Sequence, residues 1–200
     1  MTNETSAQKI VTPTADGLAK AASAVAKGRG PAPVHLWNPE FCGDLDIRIA
    51  KDGVWYYLGT PIGREPLVKL FSNILKREGD NFFLVTPAEK VGITVDDAPL
   101  FVVDFARTGD GSEQLLRLIT KTDETVTVDA DHAIRVILDA VTGEPSPYVH
   151  IRSGLDARID RKTFYRLVDL GTNEPRDGTD WFGLWSAGVF FPFIPSVELT

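Results

Sequence analysis

Residues 47–58 read IRIAKDGVWYYL, and this stretch carries the strongest signal for a β-hairpin in the sequence. Two β-prone runs, 47–51 and 54–58, flank the pair Asp52-Gly53. An Asp-Gly pair adopts positive φ at little cost, which suits the type I′ turn of a two-residue hairpin. The sequence therefore predicts an antiparallel β-hairpin at this point.

An amphipathic helix is predicted directly after the hairpin, over residues 62–78. Apolar side chains such as Leu67, Phe71 and Ile74 recur there at spacings of three and four, which gives the helix one apolar face. Gly79 then supplies a stop signal. Two strands are predicted to follow, over 81–85 and 91–95.

The second half of the chain repeats this helix. When the halves are aligned, Arg64 falls on Arg161 and Leu70 falls on Leu167. The alignment predicts a second helix over 159–170, with two strands before it and one after it. These flanking strands are 135–138, 148–152 and 189–192.

Further β-prone runs lie between the two copies, separated by glycine and aspartate. These runs are 100–107, 115–121 and 125–128. The sequence thus predicts an α+β protein with mainly antiparallel sheets, two related strand-strand-helix-strand repeats and a short N-terminal helix. The predicted parts are a mobile N-terminal arm carrying the helix (1–33), a first repeat (34–99), linking strands (100–132) and a second repeat with an aromatic-rich C-terminus (133–200).

The N-terminal helix is indicated by Leu18 and Ala22, which are spaced to share one face. Thr14 or Asp16 is the candidate N-cap, and the glycines at positions 28 and 30 are the candidate stop. We expect this helix to dock on its own domain rather than on a partner.

Composition narrows the class of protein. The content of 43% apolar and 24% charged residues is typical of soluble globular proteins. A net charge of −7 argues against nucleic acid or an anionic membrane as the partner. Lys20 and Lys27 interrupt the Ala-rich N-terminal stretch, so no signal peptide or membrane span is predicted. The single Cys42 cannot form an internal disulfide, which favours the cytoplasm.

Two aspartates and an arginine mark the first strand. Asp44, Asp46 and Arg48 alternate with apolar residues, so an extended strand sends all three to one face. Paired carboxylates can hold Mg²⁺ or Ca²⁺, but no third ligand follows at a suitable spacing. We therefore interpret this face as solvated, with Arg48 bridging its neighbours.

The segment 86–89 (Thr-Pro-Ala-Glu) has the form of a helix capping box. It predicts one helical turn between two strands. The alternative for the same segment is a catalytic pair of Glu89 and Lys90. No nucleophile motif and no phosphate-binding glycine loop supports catalysis elsewhere.

Tyr148, His150 and Arg152 share one face of a predicted strand. They can line a polar pocket, and they can equally form a cross-strand ladder. His150 has no histidine or cysteine at a zinc-binding spacing. The sequence therefore predicts no metal and no cofactor.

Arg64 and Arg161 both stand at the start of a predicted helix, where the helix dipole disfavours a cation. An internal ion pair explains such a placement best, and an anionic ligand at the helix end is the alternative. The loop 59–63 before Arg64 is short and contains glycine, so a ligand can approach its backbone. We therefore predict Arg64 as the ligand contact of the two. The acidic partners considered for the ion pairs are Asp44, Asp46, Asp156 and Asp160.

Longer motifs run through much of the chain: PVHLWNP (33–39), CGDLDIRI (42–49), LVTPAEK (84–90), VDDAP (95–99), PYVHIR (147–152) and GLDAR (154–158). Together they resemble the bacterial DUF1285 family over residues 33–195. The resemblance implies a fold of repeated α+β motifs and an uncharacterised biochemical role, with a suggestion of signal transduction. It supplies no catalytic residues.

These observations favour a non-enzymatic binding or regulatory module over an enzyme. The predicted ligand is a small anion or a protein segment, held in a cleft between the repeats. The candidate ligand-binding residues are Asp44, Asp46, Arg48, Arg64, Glu89, Lys90, His150, Arg152 and Arg161. The alternative is a metal-independent or Mg-dependent hydrolase or lyase that uses Asp44, Asp46, Glu89 and Lys90.

Overall fold

A computed structural model describes residues 13–25 and 31–199 of the chain. Within these ranges the chain forms short α-helices and many β-strands. The helices are α1 (Ala15–Val25), α2 (Glu65–Asn73) and α3 (Arg161–Val168). The strands are β1 (Phe41–Ile49), β2 (Trp55–Tyr57), β3 (Thr60–Pro61), β4 (Leu75–Glu78), β5 (Asn81–Val85), β6 (Lys90–Val95), β7 (Leu100–Thr108), β8 (Leu115–Thr120), β9 (Thr125–Thr127), β10 (Ile134–Leu138), β11 (Pro145–Arg152), β12 (Leu155–Ile159), β13 (Thr172–Arg176), β14 (Thr179–Ser186) and β15 (Val189–Pro195).

The described strands form three sheets. One six-stranded sheet has the order β3-β2-β1-β6-β5-β4, and a second has the order β10-β11-β12-β7-β8-β9. Strands β13-β14-β15 form a third, smaller sheet. Neighbouring strands are antiparallel except for β1 with β6 and β12 with β7. The prediction of an α+β protein with mainly antiparallel sheets and few helices is confirmed.

The two halves share an order of elements. Each has a hairpin, a helix and then three antiparallel strands: β1-β2, α2 and β4-β5-β6, against β11-β12, α3 and β13-β14-β15. The first half also has the two-residue strand β3 between its hairpin and its helix. Three strands therefore follow each helix, where the sequence predicted two after the first helix and one after the second. The two strands predicted before the second helix, 135–138 and 148–152, belong to β10 and β11. A further strand, β12, follows them, so the hairpin directly before α3 is β11-β12.

Sheet pairing differs between the halves. In the first half the strands after the helix rejoin the hairpin through the parallel pair β6-β1. In the second half the strands after the helix stand apart, and the hairpin pairs through β12 with β7 instead. The predicted linking strands, 100–132, thus lie in one sheet with β10-β12. The two halves therefore share the order of their main elements along the chain, but their strands pair differently.

One hydrophobic core joins both halves, and β1 illustrates how the sequence builds it. Leu45, Ile47 and Ile49 of β1 are buried, while the charged residues between them are exposed. Trp55 of β2 stacks on Phe71 of α2, with 6.4 Å between ring centroids. The core continues through the second sheet to the aromatic side chains of β15.

The first hairpin has a longer turn than predicted. The N–H of Ala50 donates to the carbonyl of Val54 at 2.9 Å, which leaves three residues in the loop. Gly53 takes the left-handed position with φ +71°. The Asp52 carboxylate accepts from the N–H of Val54 at 3.1 Å, as an Asx turn does. The turn is therefore a three-residue loop ending in a left-handed glycine, not a type I′ turn.

Helix α2 is also shorter than predicted, ending at Asn73 instead of residue 78. Leu75 and Glu78 belong to β4, where Leu75 lies opposite Leu84 of β5. Both leucines are fully buried. Over so few residues, the apolar spacing of a helix cannot be distinguished from the alternation of a strand. The pairing with β5 makes this segment a strand.

The predicted helical turn at 86–89 is a hairpin turn between β5 and β6. The Thr86 hydroxyl accepts from the N–H groups of Ala88 and Glu89 at 3.3 and 3.1 Å. The N–H of Thr86 donates to the carbonyl of Glu89 at 2.9 Å. The hydroxyl therefore caps backbone N–H groups as expected, but the paired strands leave no room for a helix.

The N-terminal helix docks on its own domain. The Thr14 hydroxyl accepts from the N–H of Gly17 at 3.1 Å, which makes Thr14 the cap. Leu18 and Ala22 are completely buried, and α1 packs against α2. The expected stop at residues 28 and 30, and residues 1–12 of the predicted mobile arm, lie outside the described residues. In the part of the chain that is described, no helix has the length and apolar character needed to cross a membrane.

Candidate functional site

A cleft of about 370 Å³ lies where the first hairpin meets the second half of the chain. The β1-β2 turn forms one wall and β7 contributes an aromatic ring. The opposite wall consists of the start of β11, the end of β12 and the first turns of α3. The lining residues are Lys51, Asp52, Phe101, Glu144, Pro145, Pro147, Arg158, Ile159, Asp160, Arg161, Phe164 and Tyr165.

Gly53 allows the hairpin turn to approach β7 so closely. A Cβ at this position would lie 2.8 Å from the Cβ of Phe101. The left-handed φ of Gly53 independently favours glycine. The Asp-Gly pair therefore shapes one wall of the cleft as well as the hairpin.

Arg161 stands on the rim of the cleft, as the first residue of α3. Its side chain is 73% exposed, and Nη1 lies 3.3 Å from the Glu144 carboxylate, which is itself 60% exposed. Nε donates to the Tyr165 hydroxyl at 3.1 Å. This hydrogen bond, followed by the charge of Glu144, raises the pKa of Arg161 above its usual value. The guanidinium is therefore charged and only loosely paired.

The other carboxylates of the cleft are engaged by the backbone. Asp160 caps α3, accepting from the N–H of Thr163 at 2.5 Å. Asp52 accepts from the N–H of Val54 in the hairpin turn. Across the cleft, Lys51 is exposed and forms no ion pair with any described residue. Arg161 and Lys51 are thus the cations best placed for a ligand.

Arg158 and Asp97 tie the back of the cleft together. Nη1 of Arg158 lies 2.7 Å from Oδ2 of Asp97, in the connection between β6 and β7. The Tyr148 hydroxyl donates to Oδ1 of the same carboxylate at 2.8 Å. Burial, followed by this hydrogen bond, raises the pKa of Tyr148. The group joins the first half to β11 and β12.

His150 and Arg152 lie away from the cleft and bind groups of the protein itself. Nδ1 of His150 lies 3.1 Å from the Asp156 carboxylate on the neighbouring strand β12. Nε of Arg152 donates to Glu124 at 2.8 Å, and Nη2 donates to the carbonyl of Ser72 at 2.8 Å. The ladder interpretation fits His150, while Arg152 fastens the second sheet to the end of α2.

Arg64 lies in a separate groove of about 490 Å³, between the start of α1 and the loop before α2. It is the N-cap residue of α2, whereas Arg161 is one position further into its helix. Arg64 is exposed and forms no ion pair with a described residue. Its counterpart Arg161 pairs with Glu144, which is not among the acidic partners considered from the sequence.

The residues predicted on β1 do face solvent. Arg48 makes a two-pronged ion pair with Asp96, with 2.9 Å between Nε and Oδ1. The hydrogen bonds from Arg48 lower the pKa of Asp96. Asp44 lies over Gly92, where a Cβ would overlap its carboxylate. Asp46 is exposed on the same strand.

Lys90 is paired with Glu78 rather than with Glu89. Its Nζ lies 3.0 Å from one carboxylate oxygen of Glu78, and Nζ of Lys76 lies 2.9 Å from the other. Lys90 and Asp44 line a shallow groove of about 310 Å³ on the first sheet. Asp46 and Glu89 do not line this groove. Across residues 13–25 and 31–199, no cluster of three or more His, Cys, Asp or Glu side chains is arranged to hold a metal ion.

Comparison with known proteins places the chain in a family. Residues 32–98 match the N-terminal domain of DUF1285, a domain of unknown function, and residues 99–193 match the C-terminal domain of DUF1285, a protein of unknown function. The crystal structure of a DUF1285 family protein from Silicibacter pomeroyi DSS-3 has 57% sequence identity over 93% of this chain and 99% of that one, with a TM-score of 0.83. The chain belongs to the DUF1285 family.

A second DUF1285 family protein of known structure, from Shewanella baltica OS155, is 32% identical. That match covers 62% of this chain and 91% of that chain, with a TM-score of 0.49. Among curated proteins, no match is found.

The cleft spans the boundary between the two DUF1285 domains. Lys51 and Asp52 lie in the N-terminal domain, and every other lining residue lies in the C-terminal domain. Sequence analysis placed Arg161 among the candidates but missed Lys51, Glu144 and Tyr165. The spacing of Tyr165 four residues after Arg161 on a helix is the one local signal available for it.

Proposed function

We propose that this DUF1285 protein is a non-enzymatic binding module whose inter-domain cleft takes a small organic anion with an apolar body. The observation that carries this proposal is the loosely paired, exposed guanidinium of Arg161 above an apolar floor. Pro145, Pro147 and Phe101 supply that floor. An apolar pocket with few polar groups at fixed positions is the usual form of a small-molecule site.

Charge supports an anion at the rim. The ion pair of Arg161 with Glu144 joins two exposed side chains, and such pairs contribute about 0–1 kcal/mol. A carboxylate or phosphate can therefore replace Glu144 at little cost. Lys51, on the facing wall, adds a second positive charge.

The walls of the cleft are held by contacts across the domain boundary. At the cleft, Arg158 binds Asp97 across this boundary, and further from the cleft Arg152 binds the carbonyl of Ser72 across it. Lys121 lies with Nζ 3.4 Å from the carbonyl of Gly53. A site held in this way loses little conformational entropy when a ligand binds, which favours affinity.

A thermal-shift titration tests the proposal with phenyl phosphate as the probe, and with inorganic phosphate and phenol as probes of its two parts. We expect phenyl phosphate to raise the melting temperature more than either part, because a ligand that binds the folded state stabilises it. Arg161→Gln should abolish the shift. Glu144→Gln should enlarge it, since it removes the competing carboxylate.

Arg64→Gln is the matched control, because it removes an equivalent exposed charge at the start of the other helix. It should leave the shift intact. A shift that is lost in Arg64→Gln and kept in Arg161→Gln would move the site to the groove beside α1, as the sequence predicted. Absence of a shift with every probe would contradict the proposal.

We extend the proposal to a cytoplasmic, regulatory role in which occupancy of the cleft is the signal. Cys42 is an exposed free thiol, which suits a reducing compartment. The suggestion of signal transduction comes from the family resemblance. Cell fractionation tests the compartment, and recovery of the protein in an oxidising compartment would contradict it.

A further inference from the structure

Strand β10 (Ile134–Leu138) is an edge of the second sheet and pairs with β11 on one side. The N–H of Asp139 donates to the carbonyl of Glu144 at 3.0 Å, and the N–H of His150 donates to the carbonyl of Ala133 at 3.4 Å. In this pattern the backbone N–H and C=O groups of the odd-numbered residues of this segment point toward β11. The even-numbered residues therefore direct their N–H and C=O groups to the free edge.

Proline, charged side chains (lysine above all), short length or coverage by another element usually protect an edge strand. β10 has one exposed charge, Arg135, and it contacts β15, but beside that charge it has the largest exposed apolar side chains of the described sheet edges. The other described sheet edges have such protection: β4 carries Lys76 and Arg77, β13 and β15 contain proline, and β3 and β9 are very short. β10 contains neither proline nor lysine. Two of its apolar residues are largely exposed, Ile137 at 51% and Leu138 at 42%.

We propose that β10 pairs antiparallel with β10 of a second copy of this chain, across a two-fold axis at Ile137. In this register Ile137 meets its own copy, and Arg135 lies opposite Asp139 of the partner subunit. Val136 and Leu138 form the hydrogen-bonded pairs, using the backbone groups that point to the free edge. The two six-stranded sheets then join into one continuous sheet.

The solvent face of β10 is complementary to itself. Along it stand a cation, an apolar residue and an anion: Arg135, Ile137 and Asp139. A two-fold axis reverses this order, so each charge meets its opposite and the isoleucines meet each other. Opposite charges and apolar pairs in facing positions stabilise antiparallel strands, and a two-fold interface must be self-complementary in this way.

Both charged side chains are already oriented. Arg135 lies over the Tyr148 ring at 5.1 Å and donates to Asp156 at 2.9 Å. Asp139 accepts from the N–H groups of Val141 and Thr142 at 2.9 and 2.8 Å, and these bonds lower its pKa. Side chains held in one geometry lose less entropy when a pair forms.

Sedimentation equilibrium over a wide range of protein concentration tests the dimer. We expect wild-type protein to dimerise and Ile137→Lys to weaken dimerisation by about tenfold or more, because two lysines then face each other at the axis. Val197→Lys is the control, since it adds the same charge at an exposed apolar residue outside β10. It should dimerise like the wild type. Circular dichroism verifies that both variants are folded.

Disulfide formation tests the register in a Cys42→Ser background. Ile137→Cys should cross-link rapidly, because facing residues of a non-hydrogen-bonded pair are about 4.5 Å apart at Cα, within the range of a disulfide. Arg135→Cys should not, since its two copies would lie about 13 Å apart along the strands. A monomeric wild-type protein, or a dimer that Ile137→Lys leaves intact, would overturn the proposal.

Discussion

Asp97 and Arg158 hold the two DUF1285 domains together, with 2.7 Å between Oδ2 and Nη1. The Asp97 side chain is 17% exposed and that of Arg158 is 29% exposed, so water screens the pair only in part. Tyr148 shares the same carboxylate. Because Arg158 also lines the cleft, this pair connects the stability of the domain boundary with the geometry of the candidate site.

Asp97→Ala should therefore destabilise the protein. It removes the acceptor of two hydrogen bonds, and a hydrogen bond to a charged group contributes about 1.5–3 kcal/mol. A loss of about 2 kcal/mol corresponds to a fall of roughly 4–8 °C in melting temperature for a chain of this size. Scanning calorimetry measures it.

Lys69→Ala is the control for that experiment. Lys69 pairs with Asp123 across the same two domains, but the two side chains are 50% and 74% exposed. A pair so exposed contributes about 1 kcal/mol or less. Equal effects of the two variants would show that burial of the Asp97 pair is unimportant.

Leu18→Ala should cost about 2–5 kcal/mol of unfolding free energy, the range for a leucine deleted from a core. Leu18 is completely buried where α1 packs on α2. Urea denaturation measures the loss, and Lys20→Ala, at an exposed site of the same helix, should have little effect. A cost below about 0.5 kcal/mol for Leu18→Ala would mean that α1 is not docked in solution.

Gly183→Ala should destabilise the third sheet. A Cβ there would overlap the carbonyl oxygen of Phe191 and lie 2.8 Å from the ring of Phe190. Overpacking of this kind costs about 1–3 kcal/mol or more. Gly63→Ala is the matched variant, since no atom lies within 4 Å of the added Cβ and φ is not positive. Its unfolding free energy should stay the same or rise slightly.

The acid sensitivity of the first sheet should depend on Glu78. Hydrogen bonds from Lys76, and then from Lys90, lower the pKa of Glu78 from its usual 4.5. The folded protein thus releases this proton more readily than the unfolded chain, so the stabilisation is complete above pH 4.5 and is lost as the pH falls below it.

Glu78→Gln tests that sign. Urea denaturation at several pH values should give the largest difference from wild type near neutral pH and a shrinking difference in acid. A difference that stays constant from neutral pH to acid would refute the assigned cause.

Local sequence patterns allowed much of the fold to be predicted. The errors in that prediction have a common physical cause, which is pairing between strands. The first hairpin, α1 and most strands follow from short-range periodicity and turn residues. The end of α2 was placed too late because Leu75 belongs to β4, where it pairs with Leu84 of β5. The helical spacing of apolar residues carries no information about that contact. β13 was missed because its residues are polar and mostly exposed, and it exists through its pairing with β14.

The candidate site was harder to predict than the fold. Arg161 was predicted as a ligand-binding residue because the alignment of the two halves places it opposite Arg64. Lys51 reaches the same cleft only through the packing of the hairpin turn on Phe101, far along the chain. Arg152 was a candidate ligand contact, yet it binds the backbone carbonyl of Ser72, and no side-chain pattern marks such a partner.

The central claim is that an organic anion binds between the two domains, and amide chemical-shift mapping of ¹⁵N-labelled protein with phenyl phosphate tests it most directly. We expect the largest shifts at 51–53, 144–147 and 158–165, the segments that line the cleft. Shifts confined to 57–67, beside Arg64, or no saturable shifts at all, would contradict the claim.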